Sequence, residues 1–316
     1  MKVRAARLVG HGKPLEIAEV ELGEPQAGEV LVEMAYGGVN PVDMYAAQGR
    51  VAQDAPVPRT LGGEGAGTVA GRHVLVRGHG LGTGRDGVWA QAAVVPQAAV
   101  VDVPDGVPLT EAAAMGVAGL TAWRTVTELV QAGPDDTVLV LGASGGVGSV
   151  ITSLAHGLGA TVIGQTGNPG AVEFVAGLGA DHVVVSDGGD LASQVAGFPP
   201  TVVLDALGGR FTGQAIEALQ PHGRLVLFGA SAGGEGELPL RTLYRKGLTV
   251  YGYGGLIQPD DVMTAATRAA LSGLARGEFA IPVDSVLPLD QVNEAFERFT
   301  QRQVRGKIVL DVNAAS

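Results

Sequence analysis

Apolar and polar positions follow two different rhythms along this chain, and the change comes near residue 118. Before it, residues 29–36 (EVLVEMAY) alternate as a strand with one buried face does. Residues 3–8 and 15–20 read as strands around the turn His11-Gly12-Lys13-Pro14, and 68–70, 73–76 and 89–95 as further short strands. The run GGVNPVDMY at 37–45 reads as a turn entering a short helix, and GHGLGTGRDG at 78–87 as a mobile glycine-rich loop. Helical periods are few here, so this part predicts an antiparallel, barrel-like domain. Beyond residue 118, strand-like runs recur at 138–141, 161–164, 183–185, 201–204, 224–228 and 248–251, with helical periods such as 171–178 and 213–219 between most of them. Unbroken apolar runs suit strands covered on both faces, and their alternation with helices predicts a doubly wound sheet of six parallel strands. From about 257 the pattern gives a long helix (259–276), a second helix (289–301) and a last strand (307–312), a tail able to return and complete the first domain. The expected fold class is α/β. A β-rich domain spans 1–117 and 257–316, and a doubly wound domain spans 118–256.

The sharpest local signal is TVLVLGASGGVG at 137–148. A β-branched run ends in glycines, and residues 147–158 then repeat at helical spacing. Strand, glycine turn and helix in this order aim free N–H groups and the positive helix end at one point, which suits a pyrophosphate. Ser144, Gly145, Gly146 and Val147 are the residues expected to present backbone to it. The spacing is GxxGGxG rather than GxGxxG, so the motif alone is weak.

Composition removes several alternatives. With 316 residues the chain can bury two cores, and 46% hydrophobic against 17% charged residues is the balance of a folded protein. A net charge of −11 without a block of Lys and Arg disfavours a nucleic-acid partner. No run of about 18 apolar residues is present, and the N-terminus lacks a signal-like apolar region, so a cytoplasmic protein without a membrane partner is expected. The absence of cysteine excludes disulfides, thiol nucleophiles and thiolate ligands.

Several stretches in register carry a family resemblance over nearly the whole length: GGVNPVDMY (37–45), LGGEGAGTV (61–69), Trp89-Ala90 with the strand ending at Pro96, AAAMGVAGLTAW (112–123), LVLGASGGVGS (139–149), GADHVV (179–184), VLDALGG (203–209), GRLVLFG (223–229) and GKIVLDV (306–312). The chain resembles the medium-chain dehydrogenase/reductase superfamily in its zinc-independent, zeta-crystallin-like quinone oxidoreductase branch. The resemblance implies a GroES-like catalytic domain built from both chain ends, a Rossmann domain in the middle, and a nicotinamide cofactor in the cleft between them. It also implies a homodimer through edge-strand pairing near Leu248 and Tyr251. Asn40 and Gly63 stand where zinc-bearing relatives have a cysteine and a histidine, and zinc prefers thiolate and imidazole. No catalytic zinc is therefore expected. The segment between Val69 and His73 is short for the family, as though a hairpin were trimmed.

On this frame the second strand ends at Gln165-Thr166-Gly167-Asn168 without the carboxylate that would hold both ribose hydroxyls of NAD. NADPH is favoured, with NADH as the alternative, although Gly170 stands where relatives often carry a basic residue. Thr166 and Asn168 can hydrogen-bond a phosphate without neutralising it. Thr121, Gln165, Leu207, Phe228, Gly229, Ser231 and Lys307 complete the candidate cofactor residues. Phe228 can equally be core, and Lys307, with Arg305, a plain surface charge. Hydride transfer to a conjugated carbonyl without a metal needs a donor for the developing oxyanion and a final acid. Asn40 and Tyr45 are the catalytic candidates, while Asp43 pins the local turn. The expected activity is reduction of a quinone or enone. A lyase or cyclase without net hydride transfer is the alternative, and a non-catalytic binding protein is disfavoured by the intact glycines.

Overall fold

The computed structural model describes residues 1–314. Its first part carries β1 (Lys2–Leu8), β2 (Glu16–Glu21), β3 (Glu29–Val39), α1 (Pro41–Ala47), β4 (Arg59–Thr60), β5 (Glu64–Val69), β6 (Arg72–Arg77), β7 (Ala92–Pro96) and β8 (Val100–Asp102). A helical stretch follows: α2 (Leu109–Ala113), then α3 (Leu120–Trp123) flanked by π-helical turns at Met115–Gly119 and Arg124–Leu129. Next come β9 (Thr137–Leu141), α4 (Gly146–Gly157), β10 (Thr161–Thr166), α5 (Val172–Gly177), β11 (His182–Val185), α6 (Leu191–Gln194) and β12 (Val202–Asp205). The run continues with α7 (Arg210–Ala218), β13 (Arg224–Leu227), α8 (Leu240–Lys246) and β14 (Thr249–Gly252). The tail is α9 (Asp260–Ala275), β15 (Val283–Pro288), α10 (Val292–Thr300) and β16 (Lys307–Asp311).

The chain divides into two compact units. One holds Met1–Leu120, Gln258–Arg276 and the chain from Ile281 onward; the other holds Thr121–Ile257 with Gly277–Ala280. In the first, a seven-stranded sheet runs β15-β16-β3-β5-β6-β8 with β7 also on β3, beside a three-stranded sheet β2-β1-β4. Its core gathers the inward residues of β3 (Val32, Met34, Val39) with Val74, Val76, Trp89, Ile308 and Leu310. The Trp89 indole N–H donates to the Gly38 carbonyl at 3.2 Å. The glycines at 37–38 prove to lie in strand β3 rather than in a turn. They are there for close packing: a Cβ on Gly37 would lie 2.4 Å from the Trp89 ring, and one on Gly38 would lie 2.2 Å from the Ala113 carbonyl oxygen. The run at 78–87, expected to be mobile, is tied down. Leu81 is buried, and the N–H groups of Gly87 and Val88 reach the carbonyls of Thr60 and Gly62 at 2.9 and 3.0 Å.

The second unit is the doubly wound domain. Its six strands are all parallel in the order β11-β10-β9-β12-β13-β14. The order reverses direction beside β9, and at such a switch point open α/β sheets bind ligands beyond the carboxyl ends of the strands. Among the described residues, no helix is long and apolar enough to cross a membrane.

Candidate functional site

At the switch point β9 runs straight into the glycine turn. Gly142 takes a left-handed φ of 74°, and Gly145 caps α4, a helix of 12 residues. A Cβ on Gly148 would lie 2.2 Å from the Gly142 carbonyl oxygen, so only glycine lets the helix pack this closely on the turn. The first N–H groups of α4 have no acceptor within the helix and coincide with its positive end, a place suited to an anion. Gly145, Gly146 and Val147 form the cap and first turn of α4, and the Ser144 hydroxyl sits 3.2 Å from that of Thr166.

The remaining cofactor candidates separate into two groups. Gln165 is fully buried: its Oε1 accepts from the Gly142 N–H at 2.9 Å and its Nε2 donates to the Ser186 carbonyl at 2.7 Å. It supports the turn from behind and is out of reach of a ligand, which corrects its expected role. Thr166 is also buried, with its hydroxyl accepting from the Asn168 N–H at 3.1 Å. Asn168 is exposed, and its side chain accepts from the Gly170 N–H at 2.9 Å. No carboxylate stands at 165–168.

Beyond β12, Leu207 and Gly208 are shaped by Asp205. Its fully buried carboxylate accepts from the N–H groups of Leu207 (2.8 Å) and Gly208 (3.0 Å) and from the Thr212 hydroxyl (2.6 Å). An Asp whose side chain binds the backbone two and three residues on is a turn former, and that spacing was the available signal. Phe228 is half-buried and anchored by its N–H to the Asp205 carbonyl at 3.0 Å. Gly229 passes so close to Ala206 that a Cβ would lie 2.7 Å from its carbonyl oxygen. Ser231 is exposed and donates to the same carbonyl at 3.1 Å. Thr121 is half-buried in α3, its carbonyl accepting from the Thr125 hydroxyl at 2.8 Å.

In the first unit a second constellation forms where three adjacent strands, β16, β3 and β5, bring one residue each. Asn40 follows β3, Glu64 opens β5, and Lys307 opens β16; all three are buried. Lys307 Nζ donates to the Val39 carbonyl (2.9 Å), to Glu64 Oε1 (3.0 Å) and to Asn40 Oδ1. Asn40 Nδ2 donates to Glu64 Oε1 at 2.6 Å, and the Val117 N–H donates to Glu64 Oε2 at 2.7 Å. Lys307 is therefore neither a surface charge nor free for a cofactor, since its three protons meet three acceptors inside the fold. Asp43 accepts from the N–H groups of Asn40 (2.8 Å) and Gly63 (3.2 Å), which fixes the start of α1 as expected. Burial, reinforced by the negative Glu64 nearby, pushes its carboxyl up to about 7. Tyr45, half-buried on α1, has the Arg50 guanidinium 4.4 Å above its ring.

Comparison with known proteins fits this layout. Residues 26–82 match the alcohol dehydrogenase GroES-like domain, and residues 146–270 match the family described as zinc-binding dehydrogenase. The Bacillus subtilis protein YhfP, which carries a quinone oxidoreductase name, is 30% identical over 299 residues, 89% of each chain. The chain belongs to the medium-chain dehydrogenase/reductase superfamily, in its quinone oxidoreductase branch. A solved structure of the Bacillus subtilis yhfP protein with NAD bound superposes with a TM-score of 0.85 at 26% identity, over 98% of this chain and 99% of that one. The mitochondrial enoyl-[acyl-carrier-protein] reductase of Xenopus tropicalis is 28% identical over 91% of this chain and 89% of its own.

One of those family descriptions names zinc, and the donor set can be tested against it. The constellation offers an amide, two carboxylates and an ammonium, with neither thiolate nor imidazole, and the ammonium is already seated on Glu64. Such a set does not suit zinc. Among the described residues, no group of three or more His, Cys, Asp or Glu could hold a metal ion. A nicotinamide cofactor fits better: the turn before α4 is set by Gly142, with its left-handed φ, and by Gly148, where a Cβ would not fit.

Proposed function

We propose that this protein is a zinc-independent, NADPH-dependent oxidoreductase that reduces a quinone or an α,β-unsaturated carbonyl compound. The observation that carries the reading is the buried Asn40–Glu64–Lys307 cluster, an amide held by an ion pair where zinc-bearing relatives would need metal donors. A reduced nicotinamide cofactor supplies the hydride when bound. The chain supplies the rest. Gly146 and Val147 hold the pyrophosphate through backbone N–H groups and the helix end, Gly145 caps that helix with its own N–H on the Gly142 carbonyl, and Ser144 and Thr166 flank the site. The missing carboxylate at 165–168 leaves room for a 2′-phosphate, which favours NADPH, with a hydrogen bond from the exposed Asn168 amide, while the buried Thr166 orders the turn behind it. Leu207, Phe228, Gly229 and Ser231 line the ribose and nicotinamide side, and Thr121 lies near the phosphate or nicotinamide.

Asn40 donates from its amide to the substrate carbonyl, where negative charge develops as hydride arrives at the conjugated carbon. Tyr45, whose hydroxyl has no partner among the described residues, is the acid that protonates the product. The active form is a homodimer.

Consumption of NADPH or NADH, followed by absorbance with 1,4-benzoquinone and with cyclohexenone, tests the proposal. Turnover with preference for NADPH is expected. Preference for NADH, the reduced form of the NAD bound in the yhfP structure, would keep the reductase and overturn the cofactor choice. Conversion of neither acceptor with either cofactor would remove the reductase. Asn40→Ala and Tyr45→Phe should each lower kcat about a hundredfold if they act as donors, by analogy with loss of an oxyanion donor. Changes within about threefold would remove these assignments.

A further inference from the structure

Glu64 and Lys307 converge on one side chain, the Asn40 amide, and their chemistry leaves that amide a single orientation. An ammonium can only donate, so the atom facing Lys307 Nζ is the amide oxygen. A carboxylate accepts, so the atom 2.6 Å from Glu64 Oε1 is the amide nitrogen. One Nδ2 proton is spent on Glu64, and no acceptor for the other is present among the described residues. Asn40 is only 3% exposed, so this is a buried donor awaiting a partner.

The surroundings are shaped to hold the carboxylate in place. The Val117 N–H takes up Glu64 Oε2, which leaves Oε1 for the amide and the ammonium. Gly38 and Gly116 make the space: a Cβ there would lie 2.5 and 2.8 Å from the two carboxylate oxygens. Stability alone does not require such an arrangement, because apolar side chains of similar volume serve a buried site as well as an ion pair does.

We propose that Glu64 and Lys307 are positioning residues that lock the Asn40 amide, turning its oxygen onto the ammonium and presenting one N–H to the substrate oxygen. This rests on the donor role proposed for Asn40. Neither residue touches the substrate. Their effect on rate passes through Asn40 alone.

Selective ¹⁵N-asparagine labelling gives a direct view, since the chain has four asparagines, Asn40, Asn168, Asn293 and Asn313. The Asn40 side-chain signal is assigned by its loss in Asn40→Ala. In the unaltered protein its two protons should resolve and exchange with solvent at rates differing about tenfold or more, as one is hydrogen-bonded and the other open. Equal exchange overturns the proposal without any variant of the pair. The double variant E64Q/K307M removes both charges while keeping volume. It should abolish the difference and lower kcat with 1,4-benzoquinone about tenfold or more, leaving KM for NADPH unchanged. In an Asn40→Ala background the same pair of substitutions should cause no further loss. If the two losses multiply instead, the pair is merely structural and the proposal falls while the role of Asn40 stands. If Asn40→Ala is itself silent, the role of Asn40 falls and takes this one with it.

Discussion

A carboxyl buried between two backbone N–H groups is an unusual place to keep a charge, and Asp43 shows the consequence. Its proton is held up to about pH 7 in the folded protein, against 3.8 for an ordinary Asp, because desolvation outweighs the two N–H donors. Between those values the folded chain binds more protons than the unfolded one, so this residue's contribution to stability is largest below about pH 4. It falls as pH rises to about 7 and is flat above. At 1.36 kcal/mol per unit, a shift of about three units amounts to about 4 kcal/mol. The difference in Tm between the protein and Asp43→Asn should therefore change steadily from pH 5 to pH 7, with the wild type losing ground, and level off by pH 8. A pH-independent difference would show that Asp43 is ionised throughout. Gln165 offers a second residue-scale test. Replacement by Leu leaves the Gly142 N–H and the Ser186 carbonyl without their partners. At about 1–3 kcal/mol for each buried orphan, Tm should drop by several degrees and NADPH binding should weaken as the turn loosens. Unchanged binding by calorimetry would mean the turn does not depend on this support. Asp43's hold on the turn was legible beforehand, but Gln165's part was not. A glutamine at a strand end reads as a ligand contact, and only the fold shows its amide pointing inward. Lys307 likewise passes for a surface charge until β16 is seen to pair with β3, which brings it beside a glutamate 243 positions away.

Among the elements, the six parallel strands were readable because strands covered on both faces carry continuous apolar runs, and each observed strand lies within two residues of its run. The helices around α3 were not. Two π-helical turns within fifteen residues have no distinct period, and Met115–Gly119 reads as ordinary helix. Glycine was the other ambiguity. It marks a turn at Gly142, whereas at Gly37 and Gly38 it marks close approach inside a strand, and the residue type is the same in both. Gly148 shows how much one element can depend on such an approach. Gly148→Ala forces a Cβ to 2.2 Å from the Gly142 oxygen, so α4 must move off the turn. NADPH affinity should fall at least tenfold, measured by calorimetry. Gly177→Ala, in α5 with nothing within 4 Å of the added methyl, is the contrasting case. It should leave binding alone and raise stability by about 0.5–1 kcal/mol through helix propensity. Equal effects of the two would show that α4 packing does not set the cofactor site.

At the scale of the whole molecule, the stretch from Leu238 to Ile257 stands out for apolar surface left in water. Leu240, Tyr244, Leu256 and Ile257 are 67–84% exposed, and α8 has no buried residue. Between them runs β14, the last strand of its sheet, paired on one side with β13 and carrying Val250 at 41% exposure. An unprotected edge flanked by apolar side chains invites aggregation unless it is covered. A second copy related by a two-fold axis would cover it: the two β14 strands would pair antiparallel and each apolar patch would meet its own copy. This is the dimer expected near residues 248–251. Tyr244→Glu places a charge in that patch without touching a buried residue, and Val250→Pro removes a backbone donor from the edge. Light scattering at micromolar concentration should give a dimer for the unaltered protein and a monomer for either variant, with far-UV circular dichroism unchanged. A monomeric wild type would leave the patch to some other covering. A dimer that survives both substitutions would place its interface elsewhere on the chain.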